Sequence, residues 1–164
     1  MKKIGILICL LFLLLPITGF ADTIPKMDGD FSDWQGQPMA HAKHYQVAFI
    51  VQGNYAYVYI ESHGKMPARY SLSFKKSQVF HISLKDSEFS SGKVKKSKCM
   101  LYDKNKKLNL IAYTVQNKSG KINRLEMRIP LRELNRNVNQ SMAISFSILS
   151  SDKVTITTAG VNTF

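Results

Sequence analysis

From Tyr45 onward, apolar side chains alternate with polar ones at a period of two, the spacing of a strand with one face in a core. Val47, Phe49 and Val51 alternate up to Gly53-Asn54, and Tyr55 to Glu61 resumes the pattern. Two such runs around Gly-Asn signal a hairpin, because glycine supplies the positive φ that a type II′ turn needs. With that loop, Gln52 faces Tyr55, Val51 faces Ala56, Phe49 faces Val58 and Val47 faces Ile60. One face of the ribbon is then Val47, Phe49, Val51, Ala56, Val58 and Ile60. It must be core, since a buried Val, Ile or Phe side chain gains roughly 1.5–3 kcal/mol. The other face carries Gln46, Ala48, Ile50, Gln52, Tyr55, Tyr57, Tyr59 and Glu61. Its tyrosines suit two uses: stacking on a sugar ring as a ligand-binding set, or lying under a covering segment that contains Trp34.

Further strands are expected at Tyr70–Phe74, Gln78–Leu84, Lys98–Tyr102, Leu108–Gln116, Ile122–Ile129, Met142–Leu149 and Val154–Thr158. Turn-rich separators such as Ser90-Ser91-Gly92 and Ser119-Gly120 lie between them. Many short strands joined by turns predict an all-β chain, an antiparallel sandwich of immunoglobulin-like or jelly-roll-like type. In Ile122–Ile129, Leu125, Met127 and Ile129 point one way, and Arg124, Glu126 and Arg128 the other. That charged face is expected to be solvated. Pro130 ends the strand and suits the first position of a short helical turn over Leu131–Leu134.

The start of the chain follows another pattern. Lys2 and Lys3 precede an apolar run from Ile4 to Leu15, Pro16 breaks it, and Gly19-Phe20-Ala21 follows. These are the parts of a secretory signal peptide, expected at 1–21 and followed by one β-sandwich domain over 22–164. The run is too short to span a bilayer as a helix. Without the leader, Cys99 is the one cysteine left, so no internal disulfide forms. Removing the leader's two lysines lowers the net charge from +12 to +10. For an exported protein, that charge points to anionic wall polymers or a phospholipid surface rather than nucleic acid. The lysines are dispersed through turns, with no single basic stripe interleaved with aromatics.

An ordered set of motifs marks the mature chain: DGDFSDW near its start, AYVYIES in the hairpin and LEMRIPLREL near the end. Together it resembles the carbohydrate-binding module family 9-like sandwich of exported bacterial proteins, related to the DOMON domains. The resemblance runs from about Met27 to the C-terminus. It implies that Asp28, Gly29, Asp33 and Trp34 close one side of the fold with the tryptophan inward. It also implies that Ile129, Pro130 and Leu134 form the late structural motif. Sugar-binding members of that family use two exposed tryptophans, whereas this chain has one. Haem-binding relatives use a methionine and a histidine. Met39, Met66, Met100, His41, His44, His63 and His81 are present, with no spacing that selects a pair.

Little else in the sequence carries chemistry. Asp28, Asp30 and Asp33 suggest calcium, but an EF-hand count from Asp28 reaches Met39 where glutamate is required. His41 and His44 have no nearby acid or cysteine to complete a zinc set. There is no G-x-S-x-G elbow, and Glu61, Glu88, Glu126 and Glu133 are too scattered to nominate an acid–base pair. Asn117-Lys118-Ser119 and Asn139-Gln140-Ser141 fit a glycosylation pattern. The chain therefore reads as non-enzymatic, with no cofactor required. Three function classes stay open. One is a binding domain for cell-surface glycan or an anionic wall polymer. The others are an accessory domain that binds another exported protein and a haem-carrying redox domain.

Overall fold

A computed structural model of the chain describes residues 24–64, 69–74, 78–84, 89–102, 107–134, 143–148, 154–159 and 161–162. The expected leader, Met66, Glu88 and the Asn139 site lie outside these residues. The strands are β1 (Ala40–Ala42), β2 (Tyr45–Gln52), β3 (Tyr55–His63), β4 (Arg69–Phe74), β5 (Gln78–Ser83) and β6 (Lys95–Tyr102). They continue with β7 (Lys107–Gln116), β8 (Ile122–Pro130), β9 (Ala143–Ile148), β10 (Val154–Ala159) and β11 (Val161–Asn162). A 3-10 turn spans Phe31–Trp34, and a single helical turn, α1, spans Leu131–Leu134.

The fold is all-β, and among the described strands every strand pairing but that of β11 with β2 is antiparallel. The strand order is β1-β2-β3-β8-β7-β6-β5-β4-β9-β10, and β11 returns to pair with β2 in parallel at Ile50 and Val51. The hydrogen bonds thus run through one sheet whose end comes back to its beginning. Among the described residues, no helix is long and apolar enough to cross a membrane.

The first hairpin has the register that its alternation implies: Gln52 opposite Tyr55, Phe49 opposite Val58, Val47 opposite Ile60. Gly53 has φ +54, and Asn54 is not left-handed, as a type II′ turn demands. The inner face forms the main core. Val47, Phe49, Ala56, Val58 and Ile60 meet Ile82 and Leu84 of the β5 region, Cys99 and Leu101 of β6, and Leu110 and Ala112 of β7. Leu125, Met127 and Ile129 of β8 complete it, each fully buried.

One strand boundary differs from the sequence expectation, for a clear reason. β6 begins at Lys95, three residues before the expected Lys98, because the lysine-rich run alternates too. Ser97 and Cys99 point inward and are buried, while Lys96 and Lys98 stay exposed. The outer face of β2–β3 is buried at its centre, under the segment that contains Trp34, which is one of the two uses its tyrosines suit. Ala48, Ile50 and Tyr59 form a second core with Trp34, against which Met27, Phe31, Met39 and Tyr57 pack.

Candidate functional site

The outer face of β2, β3 and β8 carries two buried carboxylates, Glu61 and Glu126. The segment before β1 lies across part of it. Each acid of DGDFSDW has a use in shaping that segment. Asp28 Oδ1 accepts the Asp30 backbone N–H at 2.9 Å. Asp30 caps the 3-10 turn, accepting the Ser32 N–H at 3.0 Å and its hydroxyl at 2.6 Å. Asp33 Oδ2 accepts the Lys26 N–H at 2.9 Å. Those bonds hold the carboxyl of exposed Asp30 below its ordinary range. Among the described residues, no three His, Cys, Asp or Glu side chains group as a metal set.

The segment is fastened by one residue from the far end of the chain. Glu126 Oε1 accepts the Gly29 N–H, and its Oε2 accepts the Trp34 indole N–H, both at 2.8 Å. Gly29 has φ +93, and a Cβ there would lie 2.5 Å from a Val94 methyl, so only glycine fits. Trp34 is 1% exposed and stacks on Tyr59, ring centroids 5.2 Å apart. Glu126 is fully buried beneath this lid. It does not stand on a solvated face with Arg124 and Arg128. Alternation turns a side chain outward, but a covering segment can still take it out of water. Burial pushes its carboxyl up to about 7; the two N–H bonds lower it, and nearby Asp28 and Asp33 raise it further.

Two residue pairs along the ladder, on the same face, a second carboxylate is held differently. Glu61 lies opposite Arg124, as Tyr59 lies opposite Glu126. Arg124 Nε donates to Glu61 Oε2 at 2.7 Å, and the Tyr59 hydroxyl donates to the same oxygen at 2.8 Å. His63 Nε2 is 2.7 Å from Oε1. Burial alone would raise the Glu61 carboxyl, but bonds from Arg124, Tyr59 and His63 more than offset it and hold it low. Burial, then the Glu61 carboxylate, pushes the Tyr59 phenol well above its ordinary range.

Glu61 and Arg124 border a cleft of about 580 Å³. Phe31, Met39, Val94 and Val115 give it apolar walls, and Asp30, Gln35 and Gln46 add polar groups. Tyr59 and Trp34 also line it. Of the three tyrosines, Tyr59 therefore lies in the buried stack beside the cleft. Tyr55 and Tyr57 lie further along the ribbon, half-buried, their rings 6.4 Å apart. The Arg128 guanidinium sits 4.5 Å over the Tyr55 ring.

Both carboxylates are buried and have both oxygens engaged. Glu61 meets the cleft but is kept ionised by its partners. Glu126 has a carboxyl in the range of a general acid–base, yet it is sealed and both its oxygens are engaged. The late structural motif is also placed: Ile129 is fully buried, Pro130 closes β8, and Leu134 ends α1. The Leu131 N–H bonds the Asn54 carbonyl at 2.9 Å, tying α1 to the hairpin turn. Of the other candidates, Met39 lines the cleft, His44 packs on Tyr45 and His81 on Tyr102. Sequence reasoning missed Glu126, Glu61 and Arg124 as a site. The available signal was indirect: a tryptophan placed inward needs an acceptor for its N–H. No family model matches the chain, and neither a curated protein nor a solved structure matches it.

Proposed function

We propose that this chain is an exported, noncatalytic binding domain retained at a negatively charged cell surface, with a glycan unit seated in the Glu61–Arg124 cleft. The cleft carries the reading. Its volume of about 580 Å³ falls within the range of small-ligand sites, roughly 300–1,000 Å³. Apolar walls beside amide, carboxylate and guanidinium groups suit a sugar, which has apolar ring faces and a rim of hydroxyls. The resemblance of DGDFSDW and IPLREL to the family 9-like and DOMON-like sandwich supports the same class. The net charge supplies long-range attraction to anionic surfaces, reaching about 8 Å at physiological salt. The noncatalytic part of the reading rests on the two carboxylates, both buried with both oxygens engaged: Glu61 by Arg124, Tyr59 and His63, and Glu126 by Gly29 and Trp34.

Titration of the labelled mature chain with wall-derived oligosaccharides, followed by amide chemical shifts, tests it. Shifts should centre on Gln35, Gln46 and Arg124. A Gln35→Ala, Gln46→Ala double variant should weaken binding about tenfold at unchanged melting temperature, as expected where sugar hydroxyls lose their hydrogen-bond partners. Shifts confined to Tyr55 and Tyr57 would move the site to the open tyrosine pair. No shift with any glycan would remove the glycan reading.

A further inference from the structure

We infer that the outer face of β6, β7 and β8 is a second binding surface, which takes a linear phosphodiester polymer lying across the strands. The inference rests on the reading of an exported binding domain, but it uses residues that the cleft does not. Inward positions of these strands are Ser97, Cys99 and Leu101, then Leu110, Ala112 and Thr114, then Leu125, Met127 and Ile129, all buried. The alternate positions therefore point outward. They include Lys96 and Lys98 on β6, Lys107 and Ile111 on β7, and Arg128 on β8, all exposed. The only acid on the three strands is Glu126, and it is sealed under Gly29 and Trp34. The surface is thus cationic with no exposed carboxylate on its own strands.

Strand pairing collects these charges from distant parts of the chain. Lys98 lies opposite Ile111, and Lys96 opposite Tyr113. Met127 lies opposite Ala112, which brings Arg128 beside Ile111. A row therefore crosses the strands from Lys98 through Ile111 to Arg128 and on to Tyr57, which pairs with Arg128. At one strand spacing per step, Lys98 and Arg128 stand about 10 Å apart along the row. That is within reach of successive phosphates on a flexible chain. Lysine offers point charges and arginine a planar fork, both suited to phosphate oxygens. Arg128 is held over the Tyr55 ring, its guanidinium carbon 4.5 Å from the centroid, and the residue remains exposed.

A bilayer fits this surface less well. Ile111 is the one large apolar side chain exposed on these three strands among the described residues. Shallow insertion needs a broad apolar face, and here a single isoleucine stands between two cations, Lys98 and Arg128. A linear polyanion needs only the charges and their spacing.

The test is equilibrium binding of the mature chain to poly(glycerol phosphate). A Lys98→Glu, Arg128→Glu variant is compared with Lys118→Glu, Lys121→Glu, which makes the same charge change on an exposed turn. If the surface is the site, the first should weaken binding about tenfold or more and the second less than about threefold, because screening limits what a distant charge adds. A Lys98→Ala, Arg128→Ala variant repeats the comparison should charge reversal disturb folding. Equal weakening by both charge-matched pairs would overturn the inference, leaving only diffuse attraction. So would binding to anionic phospholipid vesicles with none to the polymer. The Gln35→Ala, Gln46→Ala variant should bind the polymer unchanged, so that loss of the cleft reading and loss of this one are seen separately.

Discussion

The outer face of the sheet contains two buried glutamates two residue pairs apart, and the molecule treats them in opposite ways. Glu61 receives a guanidinium, a phenol and an imidazole and borders an open cleft. Glu126 receives only two neutral N–H groups and is sealed by the segment it fastens. The first is stabilised as an anion. The second pays more in desolvation than its two bonds return, so its carboxyl rises to about 7. A buried acid beside a cation keeps its charge and can shape a ligand site. A buried acid beside neutral donors becomes a fastening whose strength depends on pH.

The hardest test of this contrast removes the lid. Trp34→Ala empties a fully buried site and leaves Glu126 Oε2 without its donor. A loss of about 3–5 kcal/mol is expected in chemical denaturation. An unchanged midpoint would mean that the segment is not fastened at all.

Glu126→Gln sharpens the contrast through pH. A carboxyl raised in the folded state keeps its proton there after the unfolded chain has lost it. Wild-type stability should then fall as pH rises from about 4.5 to about 7 and stay level above that. The fall should be no more than about 3 kcal/mol, at about 1.36 kcal/mol for each pKa unit between the two states. The glutamine variant should lack this component. A wild type with no such decline would contradict the fastening.

The Glu61 side works with the opposite sign. Its depressed carboxyl contributes stability that is present above the ordinary carboxylate range and is lost as pH falls through the folded value. Arg124→Ala should cost about 1–2 kcal/mol near neutral pH, since a half-exposed partner leaves the carboxylate part of its hydration. It should also flatten the decline on the acid side. A variant with the wild-type acid profile would show that Arg124 does not hold Glu61 ionised.

Cys99 gives the smallest effect. Burial pushes its thiol up to about 12. A thiol reagent should leave the native chain unmodified at mildly alkaline pH and label it on unfolding, with no change in stability before labelling. Prompt native labelling would place Cys99 outside the core.

The sequence carried the inner face well and the outer face poorly, for one physical reason. Period-two alternation states which side chains share a face. Where that face is apolar, burial follows directly, as for Val47, Phe49, Val58 and Ile60. Gly53 then set the register, since a two-residue loop leaves no freedom in pairing. For a mixed face, alternation cannot say what lies on top. Glu126 stands outward in β8 as expected, but its solvent is excluded by a segment about 90 residues earlier in the chain. The Glu61–Arg124 pair and the row from Lys98 to Arg128 likewise depend on which strands are neighbours. No local pattern tells that β3 pairs with β8 or β6 with β7. The dispersed lysines read as turn residues in sequence and become a surface only through pairing.

The most direct measurement is a carboxyl-carbon titration of the two glutamates in the folded protein. Glu126 should titrate near 7 and Glu61 below the ordinary glutamate value of about 4.3. In Trp34→Ala, the Glu126 midpoint should move down toward that ordinary value while Glu61 stays low. Two midpoints both near the ordinary value would contradict the account, because neither carboxylate would then be held as the structure shows.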